Sequence, residues 1–348
     1  MKRLTRLDII LAAVFFATTF LLMVIHPPSA KVGKNRPRVS TTAVQRPEKE
    51  DLKFSFPFRI QEKEVEQKVK NNPALAARYR TISFLFTLVS VGSLFCLGCL
   101  VHGFFTGKRF YQPLGSPPLP GWGVREIVRL VLLVMVVAQT AMILEILAAR
   151  VWRPAWMDRN VLALLNTVLM DTAAALGVWW FLRKVSSQSA PLRRWKAVSF
   201  AIFCYLAFLP GFFMLTAAVV SFMQKVNIEP APQAAVMMFL SENRASVIWW
   251  LMLLATVGGP IAEELFFRGL LYRYLRVRLG VVMGLAVSSL LFSALHANLL
   301  ALVPVFALGL LLGWVYEKTG TLIAPMSIHI AHNASMLALA SVVKDLLG

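Results

Sequence analysis

Apolar runs separated by short polar connections recur along most of the chain. They fall at residues 9–25, 81–105, 127–149, 161–182, 197–223, 246–272, 281–297, 299–316 and 322–343. A helix needs about 20 apolar residues to cross a bilayer core, and most of these runs reach or approach that length. The pattern predicts an all-α fold, a polytopic transmembrane helical bundle of about eight or nine spans. Four stretches follow from it: a first transmembrane helix or uncleaved signal anchor at 1–26, a polar extramembrane insert at 27–80, additional transmembrane helices at 81–194, and a final group of helices at 195–345. The insert begins with prolines and ends in a charged run, IQEKEVEQKVKNN, which suits either a small module or a linker.

Composition supports the membrane assignment and changes how the charge is read. Of the 348 residues 58% are hydrophobic and 15% charged, with a mean hydropathy of +0.67. A net charge of +19 on a soluble chain would suggest nucleic acid. Here the basic residues lie between apolar runs, where they fix topology and meet anionic headgroups, and no base-reading motif accompanies them. Lys108, Arg109, Arg125, Arg183, Lys184, Arg193, Arg194, Lys196, Arg273, Arg276 and Arg278 fall on one side, against Arg150, Arg153, Arg159, Lys225 and Arg244 on the other. That asymmetry favours a cytoplasmic N-terminus and an external 27–80 segment. The expected location is a bacterial cytoplasmic membrane. Cys96 and Cys99 lie in an apolar run, where small residues at a helix interface are the simplest reading, and no disulfide framework is implied.

The chemistry concentrates in VGGPIAEELFFRGLLYRY at 257–274, which places Glu263, Glu264 and Arg268 inside an apolar run. A charge at that depth costs from about 2.5 kcal/mol upward, so such residues point to function and need partners. Arg268 stands four residues after Glu264, on the same helical face, and can grip its carboxylate. Glu263, about 100° around the helix, is left for another task. Of the other acids in the spans, Glu145 is expected to pair with Arg150 or Arg153 near an interface. Asp171 lies deeper, as interhelical glue or as support for the site.

Three of the five histidines, His296, His329 and His332, lie in the last 53 residues. With turns near Arg276–Gly280 and Lys318–Gly320, the 1.5 Å helical rise puts Glu263 and His296 at similar depth and brings His329 and Asn333 in from the same face. These residues can therefore share one intramembrane pocket, open to water from the cytoplasmic side or through a lateral gap. A carboxylate and an imidazole on one water can orient it and remove its proton, while His329 and Asn333 can donate to an oxyanion. Metal is the rival chemistry, because glutamate and histidine bind zinc, although HExxH is absent. Ser288, Ser289 and Ser293 precede His296 without a nucleophile-elbow pattern.

EELFFRG at 263–269, FSALH at 292–296 and HIAHN at 329–333 resemble the three motifs of the CPBP family, intramembrane proteases of the CAAX prenyl protease, Abi and lysostaphin-resistance type. Both gaps, Glu263 to His296 and His296 to His329, are 33 residues, and the resemblance covers roughly 195–345. It implies that Glu263 activates water together with His296, that Glu264 and Arg268 form a supporting salt bridge, and that His329 and Asn333 stabilise the oxyanion. Phe292 would pack beside the site. His332 lies outside the pattern and is expected to be packing. No cofactor or metal is implied. The partners are the lipid bilayer and a peptide or lipidated-protein substrate, CAAX-like or bacteriocin-like. Two alternatives stay open at this point: a catalytically silent membrane scaffold or immunity protein that binds a peptide, and a metal-dependent membrane protease. An ion or proton transporter lacks the repeated broken helices that such folds use.

Overall fold

The computed structural model describes residues 6–25, 69–106, 117, 121–151, 158–182, 192–228 and 232–347, and these are helices and their connections without a strand. The polar segment from 27 to 68 lies outside the described residues. In order, the helices are α1 (Arg6–Ile25), α2 (Pro73–Phe105), α3 (Val124–Val151), α4 (Arg159–Leu182), α5 (Arg194–Lys225), α6 (Ala234–Ser241) and α7 (Ala245–Leu253). A π-helical turn, Leu254–Gly258, leads into α8 (Gly259–Glu264), and a second π-helical stretch, Leu265–Tyr272, leads into α9 (Arg273–Leu295). The chain ends in α10 (Leu299–Thr319) and α11 (Ile323–Leu347).

Among the described residues seven helices are long and apolar enough to cross a membrane, which makes this an integral membrane protein with a helical bundle fold. The longest, Ala245–Leu295, is not one rod. Gly280 interrupts it with φ 79° and ψ 176°, a conformation open to glycine, so its limbs fold back on one another. Counting the limbs separately and adding the shorter apolar helix Leu7–Leu22 gives nine apolar helices among the described residues. The turn expected near Arg276–Gly280 is thus at Gly280. The next falls at Gly320, left-handed at φ 68°, whose N–H donates to Tyr316 O at 2.8 Å and closes α10. Helix α2 begins at Pro73, several residues before the apolar run that marks it in the sequence.

The buried centre lies among α5, the second π-helical stretch, α9, α10 and α11, where Leu270, Phe292, Leu308, Leu312, Val315 and Ile328 are closed from solvent. Large apolar side chains such as Phe84, Phe95, Trp179, Trp180, Trp249 and Trp250 face outward, as a lipid-exposed surface requires. Gly309 lets α10 come close to α9. A Cβ there would lie 3.0 Å from Ser289 Cβ, 3.2 Å from Ser289 Cα and 3.3 Å from the Phe292 ring. Helix α1 docks on α3 through polar contacts: Arg129 Nε donates to Asp8 at 2.5 Å, and Thr18 to Gln139 at 2.6 Å. Cys96 is buried and Cys99 exposed, both as free thiols. Glu145 faces a groove between α3 and α4, and the side chains of Arg150 and Arg153, its expected partners, lie outside the described residues.

Candidate active site

Glu263 and Glu264 close the short helix α8, with a π-helical turn before it and a longer π-helical stretch after it. Such widened turns are rare and concentrate at functional sites. Arg268 Nη1 donates to Glu264 Oε1 at 2.8 Å, and Nη2 donates to Gly309 O at 3.0 Å. Both side chains of this pair are closed from solvent. The missing Cβ of Gly309 therefore serves twice: it brings α10 against α9, and it leaves its own carbonyl within reach of the guanidinium. The guanidinium carbon also lies 4.5 Å above the Phe292 ring, a cation–π contact in a dry setting.

His329, buried on α11, stands between the two acids. Its Nδ1 is 3.0 Å from Glu264 Oε1 and its Nε2 is 3.8 Å from Glu263 Oε2. Since Glu264 Oε1 is an acceptor, Nδ1 carries a proton here. The Glu264 carboxylate thus takes donors from Arg268 and His329 through one oxygen. Glu263 differs in that its side chain keeps 36% exposure; the Oε2 of both acids is buried without a hydrogen-bond partner. One acid is held through Oε1 and closed from solvent, and the other is partly exposed beside His329.

His296 enters from the far end of α9. The helix stops at Leu295, His296 caps it, and Ala297 follows with φ 47°, a left-handed strain that a non-glycine residue rarely accepts. Asn298 then starts α10 by accepting from Ala301 N at 2.9 Å. The sequence places His296 within a span running to 297; in the structure it sits in the tight turn between two helices. His296 Nδ1 lies 2.8 Å from the carbonyl of Phe292, so Nδ1 donates and Nε2 keeps its lone pair. The Phe292 ring is edge-on to both histidines, with centroids 4.9 Å from His296 and 5.6 Å from His329.

Asn333, one turn beyond His329, donates through Nδ2 to Ala255 O in the first π-helical turn at 2.8 Å. One of its two amide hydrogens is therefore engaged. A cavity of about 400 Å³ is lined by His296, His329, His332 and Asn333 together with apolar side chains, Phe212, Phe213, Leu308 and Met336 among them. Glu263 adjoins this cavity through His329 and is not part of its wall. His332 packs edge-on to Phe212 at 4.8 Å and lies 3.3 Å from the Tyr205 hydroxyl.

The structure thus joins Glu263, Glu264, Arg268 and His329 by direct contacts, and brings His296 and Asn333 to the same cavity. Gly309 and Tyr205 were not singled out by charge or spacing, since a carbonyl acceptor and a packed phenol carry no motif. Among the described residues no three His, Cys, Asp or Glu side chains are grouped to hold a metal.

The "Uncharacterized protein YpbD" of Bacillus subtilis (strain 168) is 40% identical over 72 residues, 20% of this chain and 34% of the relative. The chain therefore spans about a third of the length of the curated relative that it matches. No solved structure matches. Residues 245–335 match the family described as type II CAAX prenyl endopeptidase Rce1-like. All six motif residues fall within those bounds, so the similarity to type II CAAX prenyl endopeptidases of the Rce1-like family covers the segment that builds the site.

Proposed function

We propose that the protein is a metal-independent intramembrane glutamic endopeptidase that hydrolyses a peptide bond of a membrane-associated substrate. The observation that carries this reading is the division of labour between adjacent acids. Glu264 is locked through Oε1 by Arg268 and His329 and closed from solvent, whereas Glu263 is partly exposed, with His329 Nε2 at 3.8 Å from its Oε2; the Oε2 of each acid is buried without a hydrogen-bond partner.

In this reading Glu263 takes one proton of a water while the other donates to His296 Nε2, whose lone pair is free because Nδ1 is committed to Phe292 O. The water oxygen attacks the scissile carbonyl carbon, and the carbonyl oxygen becomes an oxyanion. The remaining amide hydrogen of Asn333 and a protonated His329 Nε2 supply donors to it. Glu263 then passes its proton to the leaving nitrogen as the C–N bond breaks, and no covalent enzyme intermediate forms. The apolar wall of Phe212, Phe213, Leu308 and Met336 suits a substrate that is lipid-attached, amphipathic or transmembrane. A cytoplasmic N-terminus with the polar 27–80 segment outside completes the proposal.

The test is cleavage by purified protein in liposomes against a panel of prenylated and membrane-peptide substrates. Glu263→Gln keeps size and much of the hydrogen bonding but removes the base. Loss of cleavage by about 10²-fold or more, with wild-type cleavage surviving a chelator, is expected. Cleavage by Glu263→Gln at the wild-type rate overturns the role of Glu263, and cleavage abolished by chelator assigns the site to a metal.

A further inference from the structure

Asp171 lies in the middle of α4, outside the segment that matches the endopeptidase family, yet it reaches the site. Gly259, the first residue of α8, has no side chain, and the place its Cβ would occupy is 3.8 Å from Glu263 Oε1 and 3.9 Å from Asp171 Oδ2. Two carboxyl groups from two helices therefore converge on one methyl-sized gap. Asp171 Oδ2 and Glu263 Oε2 are both buried and both lack a hydrogen-bond partner. Glu263 is the charged group that acts on Asp171.

Arg268, the neighbouring guanidinium, is held by Glu264 and Gly309 O, and His329 gives Nδ1 to Glu264 while its Nε2 stands 3.8 Å from Glu263 Oε2. Around Glu263 stand Glu264 of α8, Arg268 of the second π-helical stretch and His329 of α11. Glu145 of α3 faces α4 in the groove beside Asn166, five residues along α4 from Asp171. Two carboxylates in a poorly hydrated gap repel each other far more strongly than in water, and one proton relieves the repulsion.

We propose that Asp171 and Glu263 form a carboxyl pair that holds a single proton, with Asp171 the positioning residue that carries it while Glu263 remains the base. This rests on the role of Glu263 proposed above. Through the reaction Asp171 keeps its proton. Glu263 accepts one from water as the C–O bond forms and gives it to the leaving nitrogen as the C–N bond breaks. Control of the base thus comes partly from a helix that the endopeptidase family match does not cover.

The test needs no substrate. Infrared spectra of the full chain in liposomes across a pH series report protonated carboxyl C=O bands. At about pH 5, above the ordinary carboxyl range, the wild type is expected to show such a band that Asp171→Asn removes. In Glu263→Gln the midpoint at which the Asp171 band disappears is expected to move down, by up to about one pH unit, because the like charge is gone while the burial remains. Loss of only an ionised carboxylate in Asp171→Asn overturns the pair, and so does an unchanged midpoint in Glu263→Gln, a variant that serves even where Asp171→Asn fails to fold. A failure of cleavage in every assay bears on the proposed activity and leaves this spectrum to decide separately.

Discussion

The side-chain amide of Asn333 donates a 2.8 Å hydrogen bond to the backbone carbonyl of Ala255. A residue whose family resemblance implies a role in charge stabilisation thus also ties α11 to the π-helical turn ahead of the two acids. Asn333→Ala is expected to lose both contributions: about 1 kcal/mol of stability from the missing hydrogen bond, and a fall in cleavage. Glu263→Gln should lose cleavage with little change in stability. Thermal unfolding of the two variants in detergent, beside their cleavage rates, checks the difference. Equal melting temperatures would leave Asn333 without the anchoring role.

Gly309 faces Ser289 and Phe292 so closely that a methyl group meets backbone as well as side chain, with Ser289 Cα at 3.2 Å. The backbone cannot swing aside, so Gly309→Ala must part α9 from α10. The expected cost is about 1–3 kcal/mol, with weakened support for Arg268 through the Gly309 carbonyl. A lower melting temperature and reduced cleavage are expected, and a variant that melts and cleaves like the wild type would show that the helices adjust freely.

Asp158, Glu242 and Arg244, outside the spanning segments, together with Asn160 at the edge of one, tie the start of α4 to the connection between α6 and α7. Arg244 Nη2 reaches Asp158 at 2.6 Å and Glu242 at 2.7 Å, and Asn160 Nδ2 donates to Glu242 at 2.9 Å. Lys344 of α11 joins through the carbonyls of Phe239 and Glu242. Hydrogen bonds from the Arg244 side chain hold both carboxyls below their ordinary range, aided at Glu242 by the N–H groups of Arg244 and Asn243 and at Asp158 by that of Val161.

Because both groups bind protons less readily folded than unfolded, their contribution is complete above the unfolded range near pH 4 and is lost as pH falls further. The melting temperature in detergent should therefore drop below about pH 4. Glu242→Gln should melt lower at pH 7 and show a smaller drop on acidification. A variant with the full wild-type pH dependence would remove Glu242 from the account.

Helix count, turn positions and the acid–base pair Glu264–Arg268 were legible because each depends on local pattern: apolar run length, a glycine between runs, and a four-residue spacing. What was not legible depends on contacts between helices. His296 reads as the next-to-last position of the run at 281–297, yet the helix ends before it and Ala297 turns left-handed. No local signal marks the π-helical turns around α8, since their apolar residues would serve equally in an ordinary helix. Asp171 was visible as a deep acid, but only the close passage of α4 over Gly259 puts it beside Glu263. The link between His329 and both acids joins residues more than sixty positions apart, and spacing alone gave them similar depth without giving them contact.

The Arg268–Glu264 contact lies within a single helical turn, and this bears on how the chain enters the bilayer during synthesis. The two charges neutralise each other as soon as that turn forms, before α10 and α11 exist. The hairpin bent at Gly280 can thus enter lipid with these two charges already paired, before the Gly309 carbonyl reaches Arg268. His329 arrives only with the last helix. Until then Glu263 lacks the imidazole that stands 3.8 Å from its Oε2, so the bilayer receives the scaffold first and the reactive arrangement is completed last.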